Sequence, residues 1–166
     1  MADIKQYYGS ASDVTITLAS LASDTNLLAG RESDAIDNTT TLALDYLISG
    51  KVTAGTSPTA SRQIEVWAVG SWDGTNWPDV FDGTDSTETI TALDIKQATC
   101  RLLAVMATGN TTDRAYFFGP VSVASAFGGV CPPKFVVFCV HNTGVNLNST
   151  AGNHQIRLQP VYETVA

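Results

Sequence analysis

The stretch Arg62–Gly70 alternates along its length, with Ile64, Val66 and Ala68 on one side and Gln63, Glu65 and Trp67 on the other. A period of two places successive side chains on opposite faces of a strand; a helix would bring its apolar positions back every three or four residues. The same signature returns down the chain, and no segment sustains the helical period. That excludes bundles and helix-covered parallel sheets and leaves architectures built from short strands joined by turns.

The other strand segments follow from the same criterion. Asp13–Ala19 alternates through Val14, Ile16 and Leu18 and reads as a half-buried strand. Thr39–Thr53 puts Leu42, Leu44, Tyr46 and Ile48 on one face, and Gly50 within it predicts a bulge or bend. Thr87–Ala92 places Thr87, Thr89 and Thr91 outward. Cys100–Ala107 is apolar on both faces apart from Arg101 and reads as a central strand covered on two sides. Arg114–Phe118 is a short aromatic strand, and Lys134–His141 follows Pro132-Pro133, which bars a helix there. His154–Thr164 closes the chain with Ile156, Leu158 and Tyr162 inward. Leu93–Ala98 and Val121–Phe127 fit either a helical turn or extended chain. The expected fold is all-β: an antiparallel β-sandwich, jelly-roll-like, of about eight strands with long Greek-key crossings. Residues 1–12, polar with Tyr7 and Tyr8, read as an N-terminal arm, and 13–166 as a single sandwich domain.

Charge narrows the partners. Charged residues are only 15% of the 166 and the net charge is -7. The surface is therefore finished with Thr, Ser, Asn and Gly, which suit a pleated face. An acidic chain with scattered Lys and Arg lacks the basic patch that nucleic acid or an anionic membrane demands. No apolar run approaches the ~20 residues that span a bilayer, and the N-terminus does not read as a signal peptide. Synthesis in a cytoplasm is expected. Cys100, Cys131 and Cys139 lie in or beside apolar runs and read as buried free thiols.

Chemistry, if present, would lie in the acidic loop Ser71–Asp85, which holds Trp72, Trp77, Asp73, Asp79, Asp82 and Asp85 and leads on to Glu88. Its spacing is not that of an EF-hand, and Asp73-Gly74 and Asp82-Gly83 read as turn dipeptides. A calcium loop or a glycosidase pair remains open but unfavoured. Trp67, Trp72 and Trp77 fit three uses: stacking a sugar ring, anchoring a protein interface, or covering the end of the core. His141 and His154 flank one loop without a third metal ligand. No nucleophile elbow, phosphate loop or metalloprotease motif occurs. Catalytic, cofactor and metal residues are expected to be absent. The loop is expected to project and meet another protein, with Tyr7, Tyr8, Trp67, Trp72, Asp73, Asn76, Trp77 and Asp79 as candidate interface residues.

Three stretches carry a family resemblance: Leu27-Leu28-Ala29-Gly30-Arg31-Glu32-Ser33, Ala35-Ile36-Asp37-Asn38, and Ser61-Arg62-Gln63-Ile64-Glu65-Val66-Trp67. With the C-terminal half from Tyr116-Phe117-Phe118-Gly119-Pro120 through His154-Gln155-Ile156, the chain resembles small structural proteins of tailed bacteriophages, most of all head decoration (cement) proteins of jelly-roll type. The resemblance implies a non-enzymatic dimer or trimer bound to the capsid exterior, with the major capsid protein as partner. Neck, tail or spike components, and a carbohydrate-binding β-sandwich module, are the alternatives.

Overall fold

A computed structural model describes residues 3–165. Eleven strands and three short helices occur among them: β1 (Ile4–Tyr8), β2 (Ser12–Asp13), β3 (Ala29–Glu32), β4 (Ile36–Asp37), α1 (Asn38–Thr41), β5 (Asp45–Thr53), β6 (Arg62–Gly70), β7 (Thr87–Thr89), α2 (Leu93–Thr99), β8 (Cys100–Thr108), β9 (Ala115–Ser122), α3 (Val123–Ala126), β10 (Lys134–His141) and β11 (Gln155–Val165). They form two antiparallel sheets. One, sheet A, runs β1-β11-β5-β9 with β2 also on β11; the other, sheet B, runs β7-β3-β10-β6-β8 with β4 also on β10.

The pairing has a nested order. β6 pairs with β8, β5 with β9, β3 with β10, and β1 and β2 with β11, each ladder enclosing the previous one in sequence. Successive ladders alternate between the sheets, which are completed by β6–β10 and β5–β11. A long antiparallel ribbon wound into two layers has this order, so the chain is a jelly-roll-like β-sandwich. β2, β4 and β7 are additions to its eight principal strands.

The core lies between the layers. Ile64, Val66 and Ala68 of β6 meet Tyr46, Ile48 and Val52 of β5 and Ile156 and Leu158 of β11 there, as the alternation predicts. A second cluster lies on the other face of sheet B, where Val136, Phe138 and Val140 of β10 are covered by Phe81 and Ile90. β10 is thus buried on both faces, which accounts for its nearly unbroken apolar sequence. The bulge expected at Gly50 is present as a shift in the β5–β9 register.

Four expectations are corrected. Cys100–Ala107 lies in β8, an edge strand of sheet B and not a central one; its Leu102 and Val105 are exposed on the outer face. Val14–Leu18 alternates in burial but forms no ladder: it is an extended strap tied by Val14 N–H to Ile156 O (2.8 Å) and by Thr15 O to Asp34 N–H (2.9 Å). Leu42 and Leu44 do not share the buried face of Tyr46. α1 and a left-handed Leu42 (φ 54°) shift the phase, so that Ala43 is buried and both leucines are exposed. Ile4–Tyr8, within the expected arm, is laddered onto β11, while residues 1 and 2 lie outside the described residues.

Candidate interaction surface

The loop after β6 does not project as a whole. Its first turn is closed by Asp73, whose Oδ1 accepts the N–H groups of Thr75 (2.8 Å) and Asn76 (2.7 Å) while Oδ2 accepts from the Asn76 amide (2.7 Å). These bonds hold the Asp73 carboxyl below its usual range, the N–H of Asn76 being the largest influence. From Trp77 onward the loop lies back across sheet B. Phe81 meets Phe138 edge-on at 5.2 Å between ring centres, and Trp77 and Val80 join the second core. Asp79 binds the N–H (2.9 Å) and hydroxyl (2.6 Å) of Thr91. Asp82 binds Thr84 N–H (2.8 Å), and Asp85 pairs with Arg31 and Thr17. Each carboxylate is spent on the loop's own backbone or its nearest neighbour. Among the described residues no cluster of three or more His, Cys, Asp or Glu is placed to hold a metal ion.

The candidate interface residues therefore fall in three places. Trp67 sits on the outer face of sheet B under α2, with the Lys96 ammonium 4.6 Å from its ring centre. Lys96 is buried there, bonded to Glu65 at 2.7 Å and to Leu27 O at 2.6 Å. Trp77 and Asp79 belong to the loop's packed half. Trp72, Asp73 and Asn76 form its exposed tip, with Trp72 73% exposed. Tyr7 and Tyr8 lie on β1, where Tyr7 stacks on Tyr162 at 5.1 Å.

Strand directions put Trp72 and β1 at one end of the sandwich. β5, β8 and β10 begin at this pole, and β6, β9 and β11 end there. The exposed Leu42, Leu44, Trp72 and Val130 sit in its loops, and Ile4 and Val165 cap its strands. β11 leaves its β5 ladder at Val161, opposite Asp45, and Tyr162–Val165 continue paired only with β1. This two-stranded ribbon reaches about 13 Å past the start of β5. All five residues of β1 are exposed.

The opposite pole is different in kind. Its connections, residues 54–61, 109–114 and 142–154, are rich in Gly, Ser, Thr and Asn, and no exposed large apolar side chain among the described residues lies in them. His141 and His154 lie toward this end with separate roles. His141 is wholly buried between Leu21 O (3.1 Å) and the Thr143 hydroxyl (3.0 Å), and burial pulls it down to about 4. His154 bonds Asn148 O at 2.8 Å.

Sequence reasoning named Trp72 and the tyrosines, which are exposed, but did not name the exposed Leu42 and Val130. The available signal was an isolated apolar residue among turn-formers: Val130 between Gly128-Gly129 and Pro132-Pro133, and Leu42 after Thr39-Thr40-Thr41. No family model, curated protein or solved structure matches the chain.

Proposed function

We propose that the chain is a non-enzymatic structural subunit of a tailed-phage virion, made in the host cytoplasm and seated by its apolar pole on the capsid exterior, where it braces neighbouring major capsid protein subunits. One observation carries the reading: eight of the twelve exposed large apolar side chains among the described residues gather at one end of the sandwich, on its loops and on a projecting ribbon, while the loops of the other end are neutral and polar. Isolated apolar residues on a surface need no explanation, but a one-ended collection fits a docking face. A surface poor in charge costs little to desolvate. On a symmetric shell each modest contact recurs many times.

The test is titration of purified protein onto capsids that lack it. Saturable binding is expected, with Trp72→Ala and Val130→Asp each weakening it by about tenfold or more, as for loss of a central anchor. Phe117→Asp, on the outer face of sheet A, should leave binding intact. Absence of binding, or equal sensitivity to all three changes, would defeat the proposal.

A second reading has an observation of its own. The Trp72 indole stands beside a shallow depression lined by Gly70, Pro78, Arg101, Phe127 and Pro132, and jelly rolls also serve as lectins. Trp77, the second ring such a site would use, is committed to the loop's packing. Glycan-array binding abolished by Trp72→Ala would favour this reading.

A further inference from the structure

β1 is an edge strand of sheet A, and no strand lies beyond it among the described residues. The direction of its free backbone groups follows from one bond. Gly9 N–H donates to Pro160 O at 2.9 Å, so by antiparallel alternation the N–H and C=O groups of Lys5 and Tyr7 also point at β11. Those of Ile4, Gln6 and Tyr8 point away from the sheet, along an unpaired edge.

Two edges join only where outward groups meet outward groups. For β1 against a two-fold copy of itself, the longest register that does so sets Gln6 opposite Gln6 of the second copy and Ile4 opposite Tyr8 at both ends. Each such pair exchanges both of its N–H···O=C bonds. The side chains agree with this register. Ile4 meets a tyrosine ring on one face, an aliphatic–aromatic pair of the kind that stabilises sheets. On the other face Lys5 lies against Tyr7, whose ring is already fixed by Tyr162. No like charges stand directly opposed.

The other edges are less suited. β7 has three residues, Pro120 interrupts β9, and the β6–β8 ladder is bulged between Val66 and Trp67. Natural edges are usually protected by such devices, and β1 has only Lys5, which this register gives a partner.

We propose that two copies of the chain join through β1, antiparallel about a two-fold axis at Gln6, so that their two A sheets become one continuous sheet. The axis is perpendicular to that sheet and places the two bodies diagonally across the seam, leaving the loops that carry Trp72 and Val130 outside it. The inference concerns copies of this chain alone and does not rest on the capsid reading, because it is tested in solution without capsids.

The experiment is sedimentation of the whole protein at high micromolar concentration, with three variants. Gln6→Pro deletes an outward N–H while sparing the bonds to β11, and proline is tolerated on such an edge. Wild type should sediment as a dimer and Gln6→Pro as a folded monomer, whose thermal melt matches that of wild type at concentrations too low for the dimer to form. Gln6→Cys should oxidise readily to a disulfide dimer, because paired Cα atoms about 5.5 Å apart suit a disulfide. Lys5→Cys, set off from its own copy by the register, should not. The native thiols are all buried and do not interfere. A monomeric wild type, a dimer that survives Gln6→Pro, or Lys5→Cys cross-linking as fast as Gln6→Cys would each overturn the proposal.

Discussion

Replacing Glu32 by glutamine should remove a loss of stability that the wild-type protein suffers as pH rises. Glu32 is fully buried on the outer face of sheet B, paired with Phe138 across the β3–β10 ladder. Its Oε1 accepts the N–H of Gly83 at 2.7 Å, which fixes the acidic loop where it turns back over the sheet. Burial is the strongest influence on the carboxyl and pushes it up to about 7 from 4.5; Asp82 and Glu88 push the same way, against the N–H bonds from Gly83 and Asp82. The folded protein therefore holds a proton at Glu32 that the unfolded chain has released, and the stability contributed by this group falls as pH rises from about 4.5 through 7. The shift corresponds to about 3 kcal/mol. The Glu32→Gln side chain keeps an acceptor for Gly83 and has nothing to ionise. Thermal melts at constant ionic strength should show the variant gaining on wild type by about 3 kcal/mol between pH 4.5 and pH 8, or about 6–12 °C in Tm for a chain of this size. A difference between the two proteins that does not change with pH would show that Glu32 is not held protonated by its surroundings, and the reasoning would fail.

Three further outcomes are expected. Lys96→Met should cost about 3–5 kcal/mol in urea denaturation, because it leaves the Glu65 carboxylate buried without its partner, whereas adding Glu65→Leu should recover much of the loss; a double mutant no better than the single one counts against the pairing. Gly83→Ala should destabilise by about 1–2 kcal/mol and alter tryptophan fluorescence, since φ is +82° and the new methyl would lie 3.0 Å from the Trp77 ring and 3.1 Å from Ala35; a neutral result would mean that the loop lies elsewhere. His141 should stay neutral in NMR titrations down to about pH 4, and because its folded value lies below the ordinary 6.5, the stability it contributes should drain away as pH falls from 6.5 through 4, opposing the Glu32 contribution over the same window; a normal titration near 6.5 would contradict its burial.

The period-two segments with one covered face were legible in the sequence. β6 has the bounds its alternation implied, and of the β11 side chains expected inward Ile156 and Leu158 are buried and Tyr162 is partly buried against the core, while Val161 is buried unexpectedly. The misreadings share a cause. β8 and β10 are both rich in apolar residues, and such a run has the same composition whether its second face is covered or open. Only the path of the loop between β6 and β7, laid over β10 and not over the end of β8, separates the two cases. The strap at Val14–Leu18 was misread because alternating burial needs only an extended chain, not a ladder. Lys96 and Glu32, both charged types, gave no sign of burial because their partners, Glu65 and Gly83, are distant in sequence. The candidate surface was half legible for a related reason: a lone tryptophan announces itself, but which loops share a pole depends on strand direction in the finished sandwich.

The nesting of the ladders has a kinetic consequence. β6 and β8 close the shortest stretch of chain, and β1 and β11 close nearly all of it, from Ile4 to Val165. Loop-closure entropy rises with the enclosed length unless inner ladders have already shortened the effective loop. The inexpensive route is to wind outward from β6–β8, through β5–β9 and β3–β10, and to add β1 last. Unwinding should run in the reverse sense. Amide exchange should then be graded, fastest at the inward-bonded amides of Lys5 and Tyr7 and slowest in β6 and β10, with the outermost ladder opening many times for each opening of the centre. The strand that is last to join is also the first to be free, so a contact made by β1 with another molecule would hold the whole roll shut from its loosest turn.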